Sequence, residues 1–432
     1  MMNRKKIPAL FLGLLLSAAI WGGAMQTASA KEEPVIIVID PGHGGENRGG
    51  EYEQYVEKEM TPIVAAAMKE ELEKYENVKV YLTHEQDVDM SIEDRVLFAK
   101  EKEADFLFCL HFNMSVHHNL FGAEVWIPAT GDYYARGRSF AEIQMEAFRE
   151  LGLHSRGIKT RLNDQGENYY GILRYGTQYD VNTALIEHCH LDQERDQPFY
   201  QKGEDQLREF GIMDATAAAK YFRLKSGILG VDYSDYQVPE TKVPEHTVCP
   251  DVTEPETCQI KVTHIEEETG EVTVEISAED PESYILYYDY SLNGGQSFSD
   301  LQPWPMGEKI GTSLDRCSFT VNVPYEEEIS IVVNAYNGYD LFSQSNKAFL
   351  QALPDPEKEA LKRKEQAEQE RRKAQEGYEE IRYDTAPVEG EDAFPDQWRI
   401  AVIIALILLS MIFVAFCMAV RIDRLLKHKR KR

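Results

Sequence analysis

The chain is poor in the features that usually announce a disulfide-stapled secreted domain or a common hydrolase. Six cysteines stand among 432 residues without any CxxC spacing, so neither a zinc ribbon nor a disulfide framework is indicated. Cys417 falls in a long apolar run, and the five others cannot all pair with one another. Cys258 and Cys317 can bridge, although nothing in the sequence requires it. No serine has Gly-x-Ser-x-Gly around it, which argues against a serine hydrolase. His-Glu-x-x-His is missing too, which removes one large group of zinc peptidases. Positive charge is scarce: 46 Lys and Arg face 74 Asp and Glu, a net charge of −28.

The basic residues that do occur cluster at the ends. Arg4, Lys5 and Lys6 precede an apolar run from Ile7 to Trp21, and Ala28-Ser29-Ala30 follows as a small-residue cleavage pattern. Residues 1–30 therefore read as a secretory signal peptide. Residues 400–420 are 21 uncharged residues, about 31 Å as a helix, which suffices for a bilayer core of roughly 30 Å. Residues 421–432 then carry seven Lys/Arg and one Asp, which marks that tail as cytoplasmic. The expected product is a single-pass protein of the cell membrane, anchored by its C-terminal helix, with everything before the span extracytoplasmic. Setting aside the +3 of the leader and the +6 of the tail leaves about −37 on the external part. That acidity argues against nucleic acid and against adsorption to anionic polymers.

Between the ends the texture changes twice. Residues 34–224 alternate strand and helix: strands at 35–39, 78–82, 105–110, 121–127 and 183–186, helices at 91–102, 133–151 and 203–222. This predicts an α/β domain with a mostly parallel sheet and helices on both faces. Residues 225–256 are a linker rich in Pro, Glu and Thr. Residues 257–352 alternate polar and apolar positions around turns such as Asn293-Gly294-Gly295, the pattern of an all-β sandwich of the immunoglobulin or fibronectin type III kind. Residues 353–397 are a charged stalk without an apolar face.

Chemistry concentrates at strand ends. Asp40-Pro41-Gly42 stops the apolar run 35–39 and presents His43 between glycines. "DFLFCLHFN" ends a second strand with His111 and Asn113, and "LIEH" makes Glu187 the first charge after a third buried run. Three strands thus deliver His43, His111 and Glu187 to one edge of a parallel sheet, where such sheets place their ligands. Two imidazoles and a carboxylate are a ligand set used by catalytic zinc.

With these residues in view, the chain resembles the zinc-dependent N-acetylmuramoyl-L-alanine amidases, which cleave peptidoglycan. "IDPGHGG" is similar to their first ligand motif, "EKEMTPIVAAAMKEEL" to the segment whose leading glutamate is the second ligand, and "CLHFN" to their Ser-x-His-x-Asn motif. "SIEDRVLFAK" resembles their arginine-bearing helix through Arg95, "GAEVWI" the strand that follows "CLHFN", and "ALIEHCHLD" the strand with the catalytic glutamate. The resemblance implies that His43, Glu57 and His111 hold Zn2+, that Glu187 is catalytic, and that peptidoglycan is the substrate. Three departures stand out. Position 109 is Cys for Ser, and His188-Cys189-His190-Leu191-Asp192-Gln193 replaces Gly-Phe-x-Ser-Asn. Pro62, with Thr61 as N-cap, predicts a helix that starts after Glu57, which leaves Glu53 and Glu59 as rival ligands. Two other functions use the same residues or none of them: a zinc peptidase acting on another wall amide, and a catalytically silent wall-binding or regulatory ectodomain. No partner for the sandwich can be read from the sequence.

Overall fold

The computed structural model describes residues 33–383, together with 404, 405 and 408. Six strands, β1 (Val35–Pro41), β2 (Val78–Leu82), β3 (Phe106–Asn113), β4 (Ala123–Trp126), β5 (Ser155–Lys159) and β6 (Thr183–His190), form one sheet in the order β2-β1-β3-β6-β4-β5. β2, β1, β3 and β6 are parallel, as expected. β4 runs against β6 and alongside β5, so the sheet is mixed. Only residues 114–122 join β3 to β4, fewer than a parallel crossover needs, so the chain returns in the opposite direction.

Five helices cover the sheet: α1 (Glu57–Leu72), α2 (Ile92–Glu101), α3 (Gly131–Leu151), α4 (Gly171–Tyr179) and α5 (Glu204–Tyr221). Alternation along β3 divides them. Phe106, Phe108 and Leu110 join Met68, Phe140 and Ala218 in a core under α1, α3 and α5. Leu107 and Cys109 point the other way, onto Val96 of α2 and Ile172 of α4. The strand is buried on both faces, which is why it reads as an unbroken apolar run. Ser91 caps α2 as expected, accepting from the Asp94 N–H at 3.1 Å.

Three expectations need correction. Helix α1 starts at Glu57 and runs through Pro62. The missing proline N–H forfeits only the bond to the carbonyl of Lys58 near the helix start, and Pro62 itself faces solvent. Thr61 is no cap, because its hydroxyl donates to the Gly42 carbonyl at 2.8 Å and ties α1 to the end of β1. β6 continues to His190, with every residue of Thr183–His190 buried and His188 and His190 hydrogen-bonded. β5 and α4 were not expected from the sequence: "SRGIK" carries polar residues that become buried only against the second fold.

That second fold is all-β. A three-stranded sheet holds β7 (Thr257–Glu266), β8 (Glu271–Glu279) and β11 (Arg316–Asn322). The facing sheet holds β9 (Ile285–Ser291), β10 (Gln302–Pro303), β12 (Ile329–Asn337), β13 (Phe342–Gln344) and β14 (Ala348–Leu350). Val272, Val274 and Ile276 meet Ile331, Val333 and Trp304 between them. Cys258 and Cys317 are both free thiols. The stretch 225–256 packs Tyr233, Tyr236 and Val238 on the α/β core, and the Val248 N–H donates to the Ala129 carbonyl at 2.8 Å.

The two folds meet in a polar seam. Arg156 of β5 donates to Glu124 at 2.9 Å, to the Tyr287 hydroxyl at 2.9 Å and to Asp340 at 2.8 Å. The Tyr287 hydroxyl donates in turn to the Phe121 carbonyl, and Tyr284 donates to the Arg156 carbonyl at 2.5 Å. Gly157 sits at φ +84°, and a Cβ there would lie 1.8 Å from the Tyr284 hydroxyl, so only glycine lets the tyrosine in. Burial opposes the charge of Arg156, but Asp340 and Glu124 keep it firmly protonated.

From Pro356 a separate unit begins with α6 (Pro356–Tyr383), exposed along its described side chains and laced by pairs such as Arg372–Glu368. Among the described residues no helix is long and apolar enough to cross a membrane. The expected leader 1–30, span 400–420 and tail 421–432 lie outside them, apart from 404, 405 and 408 within the span.

Replacing Arg156 by Met leaves Glu124 and Asp340 short of their shared cation, and breaking a buried pair costs about 3–5 kcal/mol. Urea unfolding should show one transition for both folds, with the midpoint lowered in R156M. Trp126 reports on the α/β fold and Trp304 on the sandwich. Two separated transitions in the parent chain would contradict a shared seam.

Candidate metal centre

The turn after β1 is held from three sides. Asp40 accepts from Arg95 at 2.8 Å and from the Thr83 hydroxyl at 2.6 Å. Arg95 also donates to the Pro41 carbonyl at 2.8 Å and the His43 carbonyl at 2.6 Å. His43 can then adopt φ +70°, a left-handed conformation unusual for a side chain of its size. Its Nδ1 lies 3.0 Å from the Asn47 amide oxygen, which leaves Nε2 facing inward.

Glu57, at the first turn of α1, is the hub. Its Oε2 lies 2.9 Å from His43 Nε2 and accepts from the Gly50 N–H at 2.7 Å. Its Oε1 lies 2.9 Å from His111 Nδ1 and accepts from the Phe112 N–H at 2.9 Å. Burial alone would raise the pKa of this carboxyl, but bonding with His111 and His43 holds it well below the usual carboxylate range. One atom from each of His43, Glu57 and His111 falls within 4.8 Å of the others, the only such metal-capable group among the described residues. Glu53 and Glu59 are exposed and stand outside it. Gly49, at φ +71°, completes the cradle, because a Cβ would lie 2.5 Å from Glu57 Oε2.

Glu187 is not a member of the donor group. It is the register partner of His111 on β3 and of Glu124 on β4. Its Oε2 is buried with no hydrogen-bond partner among the described residues. Burial raises its pKa well above the ordinary value, with Glu57 and Glu124 adding to the effect and Arg156 opposing it. Glu124 is the contrast. Asn113 and Trp126 donate to one of its oxygens at 2.8 and 3.1 Å, and Arg156 and Lys159 hold the other at 2.9 and 2.8 Å. Despite its burial, those two cations keep it well below the usual carboxylate range. Adjacent carboxyls of opposite proton affinity are a signature of acid–base sites.

This geometry and sequence similarity agree. Residues 37–215 match the family model described as N-acetylmuramoyl-L-alanine amidase (Amidase_3). That segment belongs to the N-acetylmuramoyl-L-alanine amidase family. The amidase domain is 30% identical over 110 residues to AmiC of Escherichia coli, covering 25% of this chain and 26% of that protein. It is 28% identical over 138 residues to LytC of Bacillus subtilis, covering 31% and 28%. The match to the former thus spans about a quarter of its length. Among solved structures, Cwp6 from Clostridium difficile is 23% identical with a TM-score of 0.41, over 44% of this chain and 29% of that one.

The departures in the amidase domain now have local accounts. Cys109 donates to Asp40 at 3.1 Å, so a thiol stands where a serine hydroxyl was expected. His188 sits between the His111 carbonyl at 2.9 Å and Asp214 at 2.8 Å. Asp192 accepts from the Ser115 N–H at 3.0 Å and lies 2.8 Å from His118 Nδ1, which straps the 114–122 loop to the end of β6. Sequence reasoning missed Asp40, Asn47, Glu124, Arg156 and Lys159. Only the first was signalled, as a charge ending an apolar strand.

The chain should bind one zinc ion, and His43→Ala or His111→Ala should release it. Gly49→Ala should lower zinc content while leaving the circular dichroism spectrum unchanged. Elemental analysis after zinc reconstitution reads all three, and a metal-free parent chain would remove the metal reading.

Proposed function

We propose that the chain is an extracytoplasmic zinc hydrolase that cleaves the amide between the lactyl group of N-acetylmuramic acid and L-alanine in peptidoglycan. The observation that carries the reading is the convergence of His43, Glu57 and His111 beside a buried, proton-retaining Glu187. A zinc ion held by that set supplies Lewis-acid chemistry, acidifying water and polarising an amide carbonyl. The protein's own groups do the rest. Asn47 and Arg95 fix His43, the Gly50 and Phe112 amides fix Glu57, and the β3–β6 register places Glu187 beside His111. A carboxyl with raised proton affinity can take a proton from attacking water and return it to the departing amine nitrogen. That return is needed because an amide anion leaves poorly. Glu187 has this character and Glu124 does not.

Placement follows from the sequence. The leader pattern at 1–30 and the uncharged run 400–420 before a basic tail support export with retention by a single C-terminal span. The charged helix α6 then belongs to the stalk between catalytic body and membrane.

Glu187→Ala should keep its zinc and lose about 10²- to 10⁴-fold in kcat, as expected for removing a positioned general acid/base. Mass spectrometry of digested peptidoglycan should show stem peptides with a free L-alanine amino group and peptide-free muramic acid. Cleaved peptide–peptide bonds would instead identify a peptidase, and intact wall from fully metallated protein would identify a binding ectodomain. Protease added to intact cells should remove both folded domains and spare an epitope placed after Arg432.

A further inference from the structure

Between the amidase domain and the sandwich lies a cleft of about 1010 Å³ that the catalytic proposal leaves unexplained. Its amidase wall includes Asn113, Trp126 and Tyr170, and Tyr170 also lines the smaller cavity of about 160 Å³ at His43 and His111. The cleft and the metal-site cavity therefore share one wall residue, Tyr170. Its opposite wall is the turn 338–341 and the start of β13, with Tyr339 and Phe342 facing the cleft.

That turn is built rather than loose. Asn337 is fully buried, and its amide oxygen accepts from the N–H groups of Tyr339 at 2.9 Å and Leu341 at 3.0 Å. Its amide nitrogen donates to Asp251 at 2.9 Å and Asp280 at 3.0 Å. Asp340 of the same turn is bound to Arg156 across the seam. The wall thus holds its position relative to the metal centre without help from a ligand.

Charge indicates what the cleft takes. Arg156 and Lys159 are committed to Glu124 and Asp340. Arg161, on the loop after β5, is exposed and has no carboxylate partner among the described residues. Its guanidinium lies 3.8 Å over the Tyr169 ring and is hydrogen-bonded to Tyr170, two contacts that orient it without neutralising its charge. In a chain this acidic, an oriented guanidinium without a carboxylate partner, bonded to the tyrosine that also lines the metal-site cavity, suits a carboxylate on the substrate. We propose that the cleft is a substrate subsite made jointly by the two folds. It takes the carboxylate-bearing peptide beyond the scissile amide, with Arg161 as the anion-binding side chain and Phe342 as the apolar wall. The inference rests on the amidase reading and extends it: the sandwich is part of the active site.

The test measures binding in the full chain, zinc-loaded and carrying Glu187→Ala to prevent turnover. Calorimetric titration compares N-acetylmuramoyl-L-alanine amide, an N-acetylmuramoyl tripeptide with free carboxylates, and the same tripeptide with its carboxylates converted to amides. The free-acid tripeptide should bind most tightly. Arg161→Ala should weaken it by about 10- to 100-fold, the range for losing a charge-assisted hydrogen bond. It should leave the amidated tripeptide and the monopeptide unchanged. Phe342→Ala, at a side chain 45% exposed and so outside the core, should weaken both tripeptides and spare the monopeptide. Equal affinity for acid and amide forms, or displacement of the tripeptide by peptide-free glycan, would overturn the subsite. Turnover by the Glu187-intact chain reads the amidase assignment separately. Its absence with the acid–amide discrimination preserved would remove the reaction and leave the subsite standing.

Discussion

The ion pair between Asp40 and Arg95 organises the catalytic edge of the sheet. Both groups are buried, and the pair joins the end of β1 to α2 while Thr83 and Cys109 donate to the same carboxylate from β2's end and from β3. Four elements are thereby locked around one side chain. Arg95 also donates to the carbonyls of Pro41, His43 and Met90, so the left-handed turn at His43 is held by a group that is not itself a metal ligand candidate. Everything further along, from the Glu57 hub to the cradle at Gly49, assumes that His43 stays where this pair puts it.

A second buried charge cluster does the same work at the other edge. Glu124 receives Asn113, Trp126, Arg156 and Lys159, and Arg156 reaches on to Asp340 and Tyr287 of the sandwich. Glu187 is the register partner of Glu124 and feels this second cluster in both signs. The nearby carboxylates and its own burial favour its protonated form, and Arg156 tempers that preference. A domain that the sequence offers as a separate module is therefore wired to the electrostatics of the neighbouring sheet.

What the sequence reveals is what the α/β domain does with its own chain. The apolar runs of β1, β3 and β6 are legible because both their faces are covered by helices of the same domain. His111 and Glu187 are legible because each is the first charge-bearing group after such a run, and His43 because it stands between glycines just past one. Pro62 misled because proline breaks helices through a lost hydrogen bond and a clash with the preceding turn, and here only one bond near the helix start is lost while the ring faces solvent. β5 could not be read at all. Arg156 and Lys159 look like surface residues until Asp340, Tyr287 and Glu124 are brought to them, and that meeting joins positions up to 184 residues apart. A local pattern cannot carry information about such a partner.

One consequence follows from where the sandwich sits. β5 is the last strand of the sheet, and a terminal strand offers unpaired backbone groups to any passing chain. Here the Arg156 carbonyl is taken by Tyr284, the Thr160 N–H by the Tyr339 hydroxyl, and Gly157 is roofed by a tyrosine ring. The appended fold thus shields an open sheet margin from strand addition. An excised catalytic fragment would present that margin bare, with a desolvated guanidinium beside it. Self-association and precipitation of such a fragment would then reflect a missing cover on the sheet, with the catalytic machinery itself intact.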